Sequence, residues 1–254
     1  MIISFVLSFL ILYLVKKYVK SDDGHVKAIK FFALITVAIH YSSLWVEFFT
    51  SEDAVAEIGG NMLLAKYPCN LIMWLLVIVA FMKKRDTLIY KLLSEFVFLG
   101  GTVCGIIGIV LNENYASTPS LLDYEVLKGL VSHSTMLLGC IHLEVSGFVK
   151  LRVKSTFSVI FGMLIFLLNG LIINGLYSLF GLPECNAMYL QEPPYEAMPW
   201  LNTATIGIAA VLVGFIACLV AEAITLPKEE RWLNRTLGLI KNKKVNYSRQ
   251  LLSF

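Results

Sequence analysis

Charge is what this chain lacks. Only 15% of its 254 residues are Asp, Glu, Lys or Arg, whereas 57% are hydrophobic and the mean hydropathy is +0.75. A soluble domain carries about a quarter charged residues, so this scarcity excludes one and describes a polytopic membrane protein. The net charge of +3 is not gathered into a patch but divided among loops, which removes nucleic acid from the partners to consider. The five cysteines include no C-x-x-C pair, so neither a zinc knuckle nor a disulfide framework is indicated. No basic residue precedes the first apolar run, and Lys16, Lys17 and Lys20 follow it. That is the reverse of a signal peptide and predicts an uncleaved helix with its N-terminus outside.

What is present is a series of seven apolar runs, at 2–15, 28–49, 62–82, 89–111, 126–149, 156–180 and 201–226. The first gains length through Tyr18 and Val19 if its lysines snorkel; the others have about the 20 residues that a crossing needs. Basic residues crowd alternate connections: 16–30, 83–91, 150–154 and the tail 228–249. The intervening loops carry Glu52, Asp53 and Glu57, then Glu113, Asp123 and Glu125, then Glu184, Glu192 and Glu196. The positive-inside rule makes the basic set cytoplasmic. The expected fold is an all-α bundle of seven transmembrane helices in the cell membrane, N-terminus outside and C-terminus cytoplasmic. Residues 1–226 form its one domain, and 227–254 form a basic tail suited to an interfacial helix on an anionic leaflet.

Orientation turns positions into depths. Cys69 and His133 each lie seven residues inside the outer end of their runs, about 10 Å down at 1.5 Å per residue, and His40 is slightly deeper. Pro68, inside the third run, predicts a kink beside the thiol. Residues seven or eleven apart share a helix face, so Gly129, His133, Cys140, Glu144 and Gly147 form one stripe and Thr36, His40 and Glu47 another. Ionisable groups within a span face protein or a water-filled cavity, so both stripes point to a common interior. Each residue also has a plainer role: a membrane cysteine is commonly a packing residue, and Gly100, Gly101, Gly105 and Gly108 fit close helix contacts. The loop 182–200, with four prolines, reads either as a lid or as a rigid interfacial crossing.

Four places resemble a known family, the YwaF-type integral membrane proteins of bacteria with eukaryotic transmembrane relatives described as cysteine-dependent phospholipid acyltransferases. The Cys69 stretch is similar to the family's Leu-Pro-Leu-His-Leu-Cys block, with Tyr67-Pro68 where leucine and histidine are usual. Phe98-Leu99-Gly100-Gly101 resembles its glycine-rich motif, and Ser132-His133 its Ser-His pair. Asn186, Met188, Tyr189, Leu190, Glu192 and Pro194 resemble its Asn-Tyr-Met-Tyr-Leu-x-Glu-x-Pro pattern, with Ala187 replacing the first tyrosine. The resemblance covers roughly residues 30–226 and implies that Cys69 and His133 form a catalytic pair, with Asn186, Tyr189 and Glu192 in the substrate loop.

The expected chemistry is transfer of a phospholipid acyl chain through a Cys69 thioester, with His133 as base and His40, Asn174 and Glu47 in support. Membrane phospholipids are the expected partners; no metal and no other cofactor is expected. A proton-coupled transporter would instead use His40, Glu47, His133 and Glu144 as a relay. A heptahelical metal-dependent lipid hydrolase needs about three protein ligands at one level, where only His40 and His133 qualify readily. A receptor reading is opposed by short cytoplasmic loops and a seventh run without lysine.

Overall fold

A computed structural model of the chain describes residues 2–50, 64–111, 120, 122–182, 185–194 and 197–238, apart from the side chains of Glu47, Phe48 and Thr50. The acidic loop residues Glu52, Asp53, Glu57, Glu113, Glu184 and Glu196, the Glu47 carboxylate and most of the tail lie outside this set. Among the described residues there are helices and no strands.

Helix α1 (Ile2–Tyr18) is followed by α2 (Asp22–His40), which starts six residues before the expected run. Ser21 is the cause: its Oγ accepts the Gly24 N–H at 3.1 Å, and Asp22 and Asp23 complement the positive end of the helix. The run does not continue smoothly to 49. It breaks at Tyr41 and resumes as α3 (Ser42–Thr50), because the Ser42 and Ser43 hydroxyls donate to the Ile39 and His40 carbonyls at 2.6 and 3.4 Å. Hydroxyls that capture helix carbonyls in this way compete with the backbone ladder.

Helix α4 (Pro68–Phe81) corrects the largest expectation. No kinked helix passes through Pro68: Tyr67 is extended (φ −105°, ψ 152°) and caps the helix, and Pro68 is its first residue. Proline is suited to that place, since its φ is already helical and the N–H it lacks would have had no partner. Cys69 therefore stands in the first turn of a short helix, not seven residues inside a long one.

Helices α5 (Leu88–Val110), α6 (Tyr124–Val145) and α8 (Thr203–Thr225) start at side-chain caps from Thr87, Asp123 and Asn202. Helix α7 (Thr156–Leu179) grows from a 3-10 turn at Val153–Ser155. Five stretches are long and apolar enough to cross a membrane: Asp22–Val46, Leu88–Val110, Tyr124–Val145, Val153–Leu179 and Thr203–Thr225. Helix α4, with 14 residues, is a shorter apolar helix.

The core lies among α2, α4, α5 and α6, where Ile72, Met73, Leu76, Phe96, Val97, Met136 and Leu143 are shielded from solvent. Gly101 and Gly105 bring α5 against Cys140 and Leu137 of α6; a Cβ on Gly105 would meet Leu137 at 3.0 Å and the His133 carbonyl at 3.3 Å. Thr36 Oγ1 joins α2 to α6 through Thr135 Oγ1 at 3.0 Å. Helix α8 is peripheral, packing on α7 and the 3-10 turn and leaving Ile216 outward. Such an apolar exterior suits a lipid surround.

Buried carboxylates are satisfied at the basic-loop end. Glu95 accepts from Ser158 at 2.5 Å, and Glu222 accepts the N–H groups of Val153 and Trp232 at 2.8 and 2.7 Å. Glu222 thus staples the turn before α7 to the segment after α8. Replacing it with leucine strands two N–H groups, at roughly 1–3 kcal/mol each. The expected result is a Tm several degrees lower in detergent, with Glu222→Gln intermediate.

Candidate functional site

A cavity of about 2460 Å³ runs between α5, α7 and α8. One end is lined by Cys69, His133, His40, Lys66, Lys128 and Tyr189, and the other by Glu144, Lys150 and Arg152.

Cys69 is half-buried, and its thiol donates to Asn70 Oδ1 at 3.3 Å. The first backbone bond of α4 runs from Leu71 N–H to the Tyr67 carbonyl at 3.2 Å, so the amides of Cys69 and Asn70 precede the helical ladder. Amides at this position carry the partial positive charge of the helix start, which favours an anion beside them. Tyr41 and Cys104 lie within electrostatic reach of the thiol.

On α6, His133 Nδ1 donates to the Gly129 carbonyl at 2.8 Å. A carbonyl only accepts, so the bond places the proton on Nδ1 and leaves Nε2 with its lone pair. The Nε2 edge of the ring lies against Gly108 of α5, filling the volume that a Cβ there would take. His40, the last residue of α2, sets its ring edge-on to Tyr41 (5.0 Å, 86°) and lies within electrostatic reach of His133 and Lys128. No hydrogen bond joins Cys69 to His133 directly; the cavity they both line connects them.

The loop after α7 holds the approach to Cys69. Its Met188 N–H donates to the Lys66 carbonyl at 2.7 Å, Asn169 Nδ2 donates to the Ala65 carbonyl at 2.8 Å, and the Tyr67 and Tyr189 rings lie 5.9 Å apart. Met188 and Tyr189 both have φ 55°, a left-handed conformation that costs about 1–3 kcal/mol per non-glycine residue. Their bonds hold it: Met188 to Lys66, and Thr203 Oγ1 to the Tyr189 carbonyl at 2.5 Å. The cations at this end are held as well, Lys66 over the Tyr177 ring at 4.7 Å and Lys128 in an ion pair with Glu125.

Several expected residues have other employment. Asn174 uses its amide on the backbone of Ala187, accepting at 2.8 Å and donating at 3.4 Å, and does not line the cavity. Asn186 accepts from the Gln191 and Glu192 amides and donates to the Glu192 carbonyl, so it shapes the loop. Glu192 is exposed and away from the cavity, whereas Tyr189 lines it. His142 sits against His25, with ring nitrogens 3.1 Å apart, and is outside the cavity. Sequence reasoning did not single out Asn70, Lys66 or Lys128 as site residues. Lys128 had a signal, a cation close to the acidic side of the bundle. Among the described residues, no group of three or more His, Cys, Asp or Glu side chains is placed to hold a metal ion.

Apolar helices around a cavity with a thiol, two imidazoles and cations at one end define a multi-pass membrane protein. A model of the TMEM164 family matches residues 1–225, and the chain belongs to that family. The match supports the eukaryotic transmembrane side of the resemblance; the bacterial YwaF-type likeness stays a likeness of motifs. No curated protein and no solved structure matches the chain.

Proposed function

We propose that this protein is a membrane-embedded acyltransferase that moves acyl chains between phospholipids through a thioester on Cys69. The single observation that carries the reading is that Cys69 and His133 open onto one lipid-sized cavity with a cationic rim. At about 2460 Å³ it far exceeds the roughly 300–1,000 Å³ typical of small-molecule pockets. In this reading all seven apolar runs cross the bilayer with the N-terminus outside, so the Cys69 end faces the outer leaflet. A phospholipid phosphate lies near Lys66 and Lys128, and an ester carbonyl lies near the thiol.

The reaction balances in two steps. His133 Nε2 takes the thiol proton, sulfur attacks the ester carbonyl, and the carbon–oxygen bond breaks to leave the Cys69 thioester. The proton passes from His133 to the departing alkoxide, giving a lysophospholipid. The hydroxyl of an acceptor then attacks the thioester, His133 takes its proton, and the returning proton restores the thiol. The amides of Cys69 and Asn70 are suited to the developing oxyanion. The resting structure has no direct Cys69 to His133 bond, and catalytic hydrogen bonds commonly tighten only with substrate in place.

Purified protein in liposomes should move a labelled acyl chain from a phospholipid to a lysophospholipid. Hydrolysis alone would replace the acyltransferase reading with a lipase, and no turnover of either kind would reject it. Gly108→Ala tests the imidazole separately: the added methyl displaces the ring, and transfer should fall about 10²-fold or more, as for a misplaced catalytic group. An unchanged rate would show that the ring position is immaterial. The cavity also reaches Glu144 at its far end, as a transporter would require; flux that survives Cys69→Ala would favour that second reading.

A further inference from the structure

We propose that the transferred acyl chain lies lengthwise in the cavity, from Cys69 past the bilayer midplane toward Lys150 and Arg152, so that the site reads chain length. The inference rests on the acyltransferase reading and adds what the rest of the cavity is for.

The cavity is lined by α8 residues from Thr203 to Thr225, the whole helix of 23 residues, or about 34 Å at 1.5 Å per residue. The hydrocarbon core of a bilayer is about 30 Å thick, so the trench is roughly twice as deep as one leaflet's half of it. Thr203 marks the Cys69 end, because it bonds Tyr189, whose ring packs on Tyr67.

Between the two charged ends the walls are apolar, with Leu99 and Val103 on α5, Ile160 and Met163 on α7, and Ala210 and Ala217 on α8. Thr102, a polar residue on this wall, spends its hydroxyl on the Phe98 carbonyl at 2.6 Å. Such a channel solvates methylenes and offers nothing to a headgroup. Its far end is lined by Glu144, Lys150 and Arg152, where continuing an alkyl chain would mean desolvating charges. Arg152 is held there by donating to the Leu151 carbonyl at 2.7 Å and to Thr225 Oγ1 at 3.3 Å.

Ala210 and Ala217 provide the test, since residues seven apart share a helix face and stand about 10 Å apart in depth. Transfer would be measured from phospholipids carrying octanoyl, palmitoyl or behenoyl chains, and read as rate ratios to octanoyl. Ala217→Phe should lower the behenoyl ratio about tenfold, the effect of excluding a couple of methylenes, with little change in the palmitoyl ratio. Ala210→Phe, nearer Cys69, should lower both. Ile216→Phe, on the outward face, should leave the ratios as in the wild type. A misfolded variant fails for all chains alike, and Ala210→Leu and Ala217→Leu then supply the ratios. Ratios that stay at wild-type values in measurable variants at both positions would overturn the proposal. Absence of transfer from every donor by the wild type would instead fail the acyltransferase reading.

Discussion

Cys69→Ala is expected to reduce acyl transfer to background, a loss on the order of 10³-fold or more, as when other covalent nucleophiles are removed. The fold should survive. Cys69 is half-buried, its hydrogen bond is to the adjacent Asn70, and the buried residues of α4 come after it, from Asn70 through Ile72 and Met73. Cys69→Ser separates chemistry from packing, because a hydroxyl nearly fills the thiol's place but is a much weaker nucleophile without stronger activation. If Cys69 merely packed, both variants would transfer normally. Thermal unfolding of both variants, expected to lie within a few degrees of wild type, shows that the loss is chemical.

The second large effect is expected at His133. His133→Gln should lower transfer by about 10²–10⁴-fold, the range for removing a general base, and should slow formation and breakdown of the thioester alike. Its structural role is modest: one bond to the Gly129 carbonyl and contact with Gly108. Because Gly108→Ala acts through the same ring, it should cost little further once His133 is glutamine. Residues that act as a unit show such non-additivity. Losses that simply multiply would mean that Gly108 matters for helix packing, as the neighbouring Gly105 does.

How much was legible depends on which force decided each feature. Hydrophobic burial in lipid dominates a span, so the apolar runs showed where long helices lie, and α5, α6 and α8 match them closely. Boundaries set by local hydrogen bonds were read less well: Ser21 starts α2 early, and Ser42 and Ser43 break the same run. Pro68 misled because proline fits a helix start as well as it kinks a helix interior, and the apolar residues before it hid the start.

Periodicity and motif order brought Cys69, His133 and His40 to attention, and these residues line one cavity. The partners of Asn174 and Asn186 were not legible, because an asparagine in sequence does not disclose whether its amide serves a ligand or a backbone. Here both hold the loop beside Tyr189. Gly108 was read as a helix contact, and only the tertiary placement of the His133 ring shows what it makes room for.

The central claim is that Cys69 carries the acyl group. The most direct measurement is mass spectrometry of the Cys69 peptide after brief incubation of the purified protein with a phospholipid donor, without acceptor. The account predicts an added acyl mass on Cys69 that hydroxylamine removes, accumulating in the wild type and absent in Cys69→Ala. Acyl transfer that proceeds without any adduct on Cys69, or an adduct that forms equally on Cys104 in the Cys69→Ala protein, would contradict it.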